Sequence, residues 1–231
     1  MKKLKTQTIG EIVTEDFRAA EIFKEEGIDF CCGGNQSLEQ ACKGNTVEFE
    51  RIAGKLNELQ NIPAGNAHNF KEWNLDFLCD YIVNTHHKTV LKTLPELLFY
   101  TEKIANVHGV HHSELLQISK LFSELNKELL QHLEKEEEVL FPAIKDVLKT
   151  NSISSKETII SEITRMKTEH EFAGGAMDKI NEISNKYTLP ADACNTFIVT
   201  FKMLQEFEDD LHIHVHLENN ILYPKALSLA K

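Results

Sequence analysis

Glycine and proline are scarce in this chain, 10 and 5 residues among 231. Few positions therefore force a break in its long runs of Leu, Ile, Glu and Lys, and no segment reads as a convincing strand. No stretch approaches the roughly 20 apolar residues that a spanning helix needs, which excludes a helical membrane protein. Positive charge is also short, with 25 Lys and Arg against 36 Asp and Glu and a net charge of −11. That balance excludes nucleic acid and anionic membranes as partners. The basic start, Met1-Lys2-Lys3-Leu4-Lys5-Thr6-Gln7, is followed by no apolar core of a secretory signal, so a cytoplasmic location is expected. Five cysteines, odd in number, two adjacent and none in a Cys-x2-Cys pair, suit reduced thiols rather than a disulfide framework or a structural zinc site.

What remains is an all-α pattern. The polar, aperiodic stretch Asn61-Ile62-Pro63-Ala64-Gly65-Asn66-Ala67-His68-Asn69 reads as a linker. It divides a small helical domain at 1–60 from a larger one at 73–231, with 61–72 between them. The larger part reads as four antiparallel helices, about Trp73 to Ile104, Ser113 to Leu148, Ser154 to Ser184 and Ala191 to Ala226.

Histidine is the abundant oddity, at 11 residues. In the second helix Leu115, Ile118, Phe122, Leu125, Leu129, His132, Glu136 and Val139 form an apolar stripe at bundle spacing that His132 and Glu136 interrupt. In the fourth, Phe197, Phe201, Leu204, Phe207, Leu211, His214, Glu218 and Ile221 do the same. The third helix carries Ile159, Ile163, Met166, His170, Ala173, Met177 and Ile180, and the first Tyr81, Asn84, His87, Leu91, Leu94 and Leu98. The run from His132 to Pro142 matches that from His214 to Pro224 as His-x3-Glu-x2-[VI]-Leu-[FY]-Pro. The inward histidines His87 and His170 are offset by nearly the same interval, so the domain reads as two similar helix pairs.

Residues four apart on a helix differ by roughly 40° about the axis and 6 Å along it, so each His-x3-Glu can address one centre. Four imidazoles and two carboxylates in a bundle interior would be costly to bury unpaired, and divalent metal removes the cost. Six ligands exceed what one tetrahedral zinc takes, whereas two carboxylates bridging two ions, each ion with two histidines, form a sensible dinuclear site. The mixed donor set suits iron, with manganese or zinc as alternatives. The other histidines, His68, His86, His108, His111, His112, His212 and His216, are expected mostly at the surface. Glu128 and Glu169 are candidates to support the ligands or relay protons.

In the first sixty residues, Asp29-Phe30-Cys31-Cys32-Gly33-Gly34 reads as a turn just before a capping box, Ser37-Leu38-Glu39-Gln40. Two readings of Cys31 and Cys32 stand: exposed thiols of lowered pKa that act as nucleophiles or transient metal ligands, or small buried packing groups. Cys42, Cys79 and Cys194 read as packing residues.

Together, Asp29 to Gly34, Leu94-Pro95-Glu96-Leu97, His132 through Pro142, Glu169-His170 and His214 through Pro224 resemble the iron-sulfur cluster repair di-iron family, across almost the whole chain. The resemblance implies a hemerythrin-like bundle behind a small cysteine-bearing domain. It also implies two non-haem iron ions with an oxo or hydroxo bridge, His87, His132, His170 and His214 as terminal ligands, and Glu136 and Glu218 as bridges. The implied partners are iron-sulfur proteins damaged by nitric oxide or oxidants, with Cys31 and Cys32 as the family's thiols. Iron donation is the expected mode. A di-iron enzyme reducing nitric oxide or peroxide is the rival, an oxygen-binding hemerythrin-like carrier or sensor is a third class, and a homodimer is left open. No Glu stands three residues before any His, which disfavours a ferritin-like oxidase.

Overall fold

The computed structural model describes residues 2–62 and 69–231. Most of the expected linker, residues 63–68 with His68, lies outside them. Among the described residues there is no strand, only an isolated bridge between Thr8 and Ser37. No helix among them is long and apolar enough to cross a membrane.

The amino-terminal lobe consists of α1 (Lys2–Thr6), α2 (Ile9–Glu15), α3 (Ala19–Glu25), α4 (Leu38–Ala41) and α5 (Thr46–Gln60). Local chemistry fixes where these helices begin. Thr8 and Ser37 each close a capping box, with Glu11 and Gln40 respectively, and the Asn45 side chain accepts from the first amides of α5. Gly27 and Gly44 occupy the left-handed region, at φ 66° and 74°, ending α3 and the turn after α4.

Four rods form the bundle. The first is α6 (Leu75–Ile82), a π turn (Val83–His87) and α7 (Lys88–His108); the second is α8 (Glu114–Lys135), a π turn (Glu136–Leu140) and α9 (Phe141–Thr150). The third is α10 (Ile153–Ile183), and the fourth is α11 (Asn195–Leu217), a π turn (Glu218–Leu222) and α12 (Tyr223–Ala230). Short connections join α7 to α8 and α9 to α10, so those neighbours pack as helical hairpins. Two apolar clusters fill the interior. One runs from Val90 and Leu94 through Leu125 and Phe207 and continues into the lobe through Phe23, Phe30 and Ile52. The other collects Leu78, Ile82, Ile144, Ile163 and Ala226.

Two of the three π turns have a source in the sequence. Pro142 and Pro224 have no N–H and cannot bond back to Glu138 and Asn220; just before them, Phe141 and Tyr223 donate to the carbonyls of Glu136 and Glu218, five residues back. The inserted residue moves the apolar stripe. Val139, expected inside, is 40% exposed, while Leu140 and Phe141 are buried. In the first rod Leu91 and Asn84 likewise face out, and Val90 takes the core position. The third and fourth stripes lie in the core as read.

Candidate metal centre

The four inward histidines and two glutamates meet in one layer of the bundle. His87, Glu136, His214 and Glu218 bring ligand atoms within 4.8 Å of one another, and so do His132, Glu136, His170 and Glu218. The two carboxylates are shared and the histidines divide into two pairs. Glu218 faces both: its Oε1 lies 2.9 Å from His214 Nε2 and its Oε2 3.2 Å from His170 Nε2. Glu136 Oε2 lies 3.3 Å from His87 Nε2 and 3.4 Å from His132 Nε2. The Nε2 atoms of His132 and His170 approach to 3.1 Å, aimed at a common point.

Burial at this layer is complete for Glu136, Glu218 and His87, all at 0% exposure. His87 Nε2, Glu136 Oε2 and Glu218 Oε2 nonetheless make no hydrogen bond. Orphaned buried donors and acceptors are expensive. An imidazole and two carboxylate oxygens converging in that condition fit divalent metal with mixed N and O preference.

Polar partners fix the rings. His87 Nδ1 donates to Glu137 (2.8 Å), His132 Nδ1 to Glu169 (2.9 Å) and His170 Nδ1 to Asn219 Oδ1 (3.0 Å), turning each Nε2 toward the layer. Glu169 also accepts from Lys135. Aromatic rings add to this: Phe141 stacks on His87 and Tyr223 on His170, both with centroids 5.7 Å apart. The Tyr223 hydroxyl reaches across to donate to Glu136 Oε1 at 2.7 Å.

Electrostatics divide the histidines. Burial disfavours charge on His87, but Glu136 and Glu218 outweigh it and raise the group to about 10. Burial acts on His132 in the same way and is overcome by Glu136 and Glu169, giving about 10. On His214 burial prevails and the value falls. Glu169, hydrogen-bonded first by His132 and then by Lys135, is depressed to about 2.

Two histidines expected at the surface are buried. His86, 3% exposed, bonds Asp210 through Nδ1 at 2.9 Å and stacks on His214 with rings 9° apart. The π turn, which an ideal helical period does not contain, gives both His86 and His87 inward positions. His216, fully buried, donates toward the carbonyl of Phe30, and burial lowers it to about 4; the lobe covers a face that a free bundle would expose. Other supports missed from sequence are Glu137, Asn219, Asn220 and Tyr223. Their signal is position: Glu137 and Asn219 directly follow the two glutamates, Asn220 comes one residue later, and Tyr223 replaces Phe141 of the other copy. Glu128 is exposed and lines a small cavity beside the layer.

The cysteine turn sits against this layer. Asn220 Nδ2 donates to the carbonyls of Phe30 and Cys31, each at 3.2 Å. Gly10 and Gly34 allow that approach, because an added Cβ would stand 2.4 Å and 2.8 Å from Asn220 Oδ1. The Cys32 thiol points to the His170 carbonyl at 3.5 Å and lies 3.9 Å from Cys31 Sγ. Asp29 shapes the turn by accepting from the amides of Cys31, Cys32 and Gly33. Cys31 does not fit the exposed reading, being 4% exposed. Its thiol is pushed well above the ordinary range by its hydrogen bond to Cys32, then by burial and by Asp29. Cys32 is half-buried. Cys42 and Cys79 are buried as packing residues, whereas Cys194 is exposed and meets His108 Nε2 at 3.1 Å.

Comparison with known proteins bears on both parts. Residues 80–226 match the family described as hemerythrin HHE cation binding domain, and residues 5–60 match a domain of unknown function, DUF542. The chain is 34% identical over 217 residues to an iron-sulfur cluster repair protein of Staphylococcus haemolyticus, covering 94% of this chain and 96% of that one. It is 35% identical to a probable iron-sulfur cluster repair protein of Haemophilus influenzae and 33% to one of an Enterobacter species; each match covers 96% of this chain and 97% of the relative.

Proposed function

The chain belongs to the hemerythrin-like iron-sulfur cluster repair family, and from that premise we propose that it holds two iron ions and repairs damaged clusters by donating iron. The observation that carries the reading is the division of four buried histidines into two pairs around the shared carboxylates Glu136 and Glu218. His87 and His214 would hold one ion and His132 and His170 the other. When bound, the pair supplies exchangeable ferrous or ferric ion and its redox chemistry. The protein's own groups set the rest. Glu137, Glu169 and Asn219 keep the histidine rings oriented, and the apolar clusters on either side of the layer exclude water. Cys32, half-buried with its thiol 3.5 Å from the His170 carbonyl, is the first candidate to receive outgoing iron. Cys31 lies behind it.

The decisive measurement is anaerobic transfer of labelled iron from the purified protein to a cluster-damaged client, run beside a nitric oxide consumption assay. Transfer without consumption supports donation; catalytic consumption without transfer supports the reductase. A Cys31→Ser, Cys32→Ser double variant should keep its iron and lose transfer. The gas-binding reading has one observation in its favour. A cavity of ≈10 Å³, about the room one water-sized molecule needs, adjoins His132, His170 and His214 among Leu129, Ala173, Leu211 and Val215.

A further inference from the structure

Away from the layer, a second group of ligand-type side chains lies where the lobe meets the bundle. Asp178 on α10 and Glu208 and His212 on α11 bring ligand atoms within 4.8 Å of one another. Glu208 and His212 share one helix face at the same four-residue spacing as His214 and Glu218. Glu208 is 6% exposed, and burial pushes its carboxyl up. Its hydrogen bond comes from a neutral amide, Asn181 Nδ2 at 2.9 Å. Tyr187, 8% exposed, turns a buried hydroxyl that lacks a hydrogen bond toward Glu208. Among the described residues the side chains of Asp178 and His212 make no hydrogen bond or ion pair. Lys24, which feels the charge of Glu208, is held by Asp209 at 2.9 Å.

We propose that Asp178, Glu208 and His212 form a third metal site, separate from the buried layer, that takes one divalent first-row cation such as ferrous iron or manganese(II). Two carboxylates and one imidazole are a donor set that such ions share. Their double charge offsets two carboxylates that, among the described residues, no lysine or arginine pairs with. The position of the site gives it a use, and that use rests on the donation reading above although the site itself does not. Along α10, His170 belongs to the layer and Gly174, four residues on, underlies Cys32, where an added Cβ would stand 3.2 Å from Sγ. Asp178 comes four residues later. Steps of four keep all three positions on one helix face, with Asp178 about 12 Å from His170 along the axis. On the lobe side, Phe30 packs edge-on against His212 with centroids 6.1 Å apart, and the charge of Asp29 acts on Asp178. Cys32, which with Cys31 and Asp29 forms another ligand-type group, thus stands midway. The third site is a staging position for iron moving between solvent and the layer, and the thiols are the next ligands on the way to His170.

The test uses full-length protein carrying its iron, with manganese(II) as the probe. Free manganese(II) gives an electron paramagnetic resonance signal that binding removes, so a titration counts bound ions, and iron is counted in the same samples. The parent should bind one manganese(II) per chain beyond its iron. Glu208→Gln, which keeps the shape and the Asn181 hydrogen bond, and Asp178→Asn should each weaken that binding by at least about tenfold, because losing a ligand should cost no less than losing a group behind one. Glu206→Gln, at an exposed carboxylate of the same helix, should leave it unchanged. No manganese(II) bound beyond iron by the parent, or equal binding by parent and all variants, would overturn the site. Fewer than two irons beside a manganese(II) that Glu208→Gln loses would overturn the two-ion reading and leave the third site standing. Staging has its own readout. Iron-free protein given ferrous ion should fill the layer to the same count in Glu208→Gln but more slowly, and equal rates would overturn that role alone.

Discussion

The two copies of the His-x3-Glu motif share a backbone and differ in almost every supporting side chain. Each opens a π turn at its glutamate and uses the next residue to hold a lone histidine of a neighbouring rod. Five residues on, each stacks an aromatic ring on that same histidine. The substitutions fall on these supports. The copy in the second rod holds its histidine with a carboxylate, Glu137, lets Glu138 face solvent and stacks with Phe141. The copy in the fourth rod uses the amide of Asn219, turns Asn220 onto the lobe, and stacks with Tyr223. The two copies share the geometry of the layer and differ in its electrostatics. One supports the layer alone, and the other also attaches the lobe.

The comparison is broken most severely by removing the shared carboxylates. Glu218→Ala, which takes an oxygen from each histidine pair, should leave less than one iron per chain by elemental analysis. Glu136→Ala should lose less, yet still fall below two. Next comes the lobe. Asn220→Ala deletes two hydrogen bonds to the cysteine turn and should cost about 2 kcal/mol in urea unfolding, whereas Glu138→Ala at the matching position should stay within about 0.5 kcal/mol. Equal losses at the two positions would show that the copies are not specialised.

A finer contrast lies in the ring partners. Glu137→Gln, which makes the first copy resemble the second, should weaken metal affinity about tenfold in competition titrations by lowering the basicity of His87. Smallest in its effect on net stability is the pH response of chelator-treated protein. His132, raised to about 10, contributes stability that is fully present below the unfolded value of 6.5 and is lost as pH rises through about 10. His214, lowered from 6.5 by burial, acts in the other sense: the unfolded chain takes up its proton more readily, so the group penalises the fold as pH falls below 6.5. NMR titration of labelled imidazoles should show His132 protonated well into alkaline solution and His214 neutral throughout that range.

Much of this centre is legible in the sequence because burial at helical spacing is a strong signal. His170 lies between Met166 and Ala173, and His214 between Leu211 and Glu218, on stripes that the structure keeps. The stripe fails where the helix departs from its ideal period. Counting threes and fours places Val139 and Leu91 inward, and the π turns add one residue at Glu136 and before His87. For the turns at Glu136 and Glu218, Pro142 and Pro224 carry that information as missing donors, which periodicity does not weigh. Contacts between distant segments were not legible at all. His216 is buried because Phe30 covers it, and Cys31 because Asn220 draws its turn onto the bundle; no local pattern encodes either approach.

That last contact sets an order of events in biosynthesis. Phe30 and its anchor Asn220 are separated by 190 residues, so at about 5–20 residues per second a ribosome needs about 10–40 s to supply the second after the first. Throughout that interval the cysteine turn lacks the fourth-rod surface on which Asn220 anchors it, and Cys31 cannot acquire the full shielding it has in the finished molecule. Nascent chains are thus the form in which this thiol pair meets the surrounding medium most openly, and emergence of the fourth rod is the event that closes it.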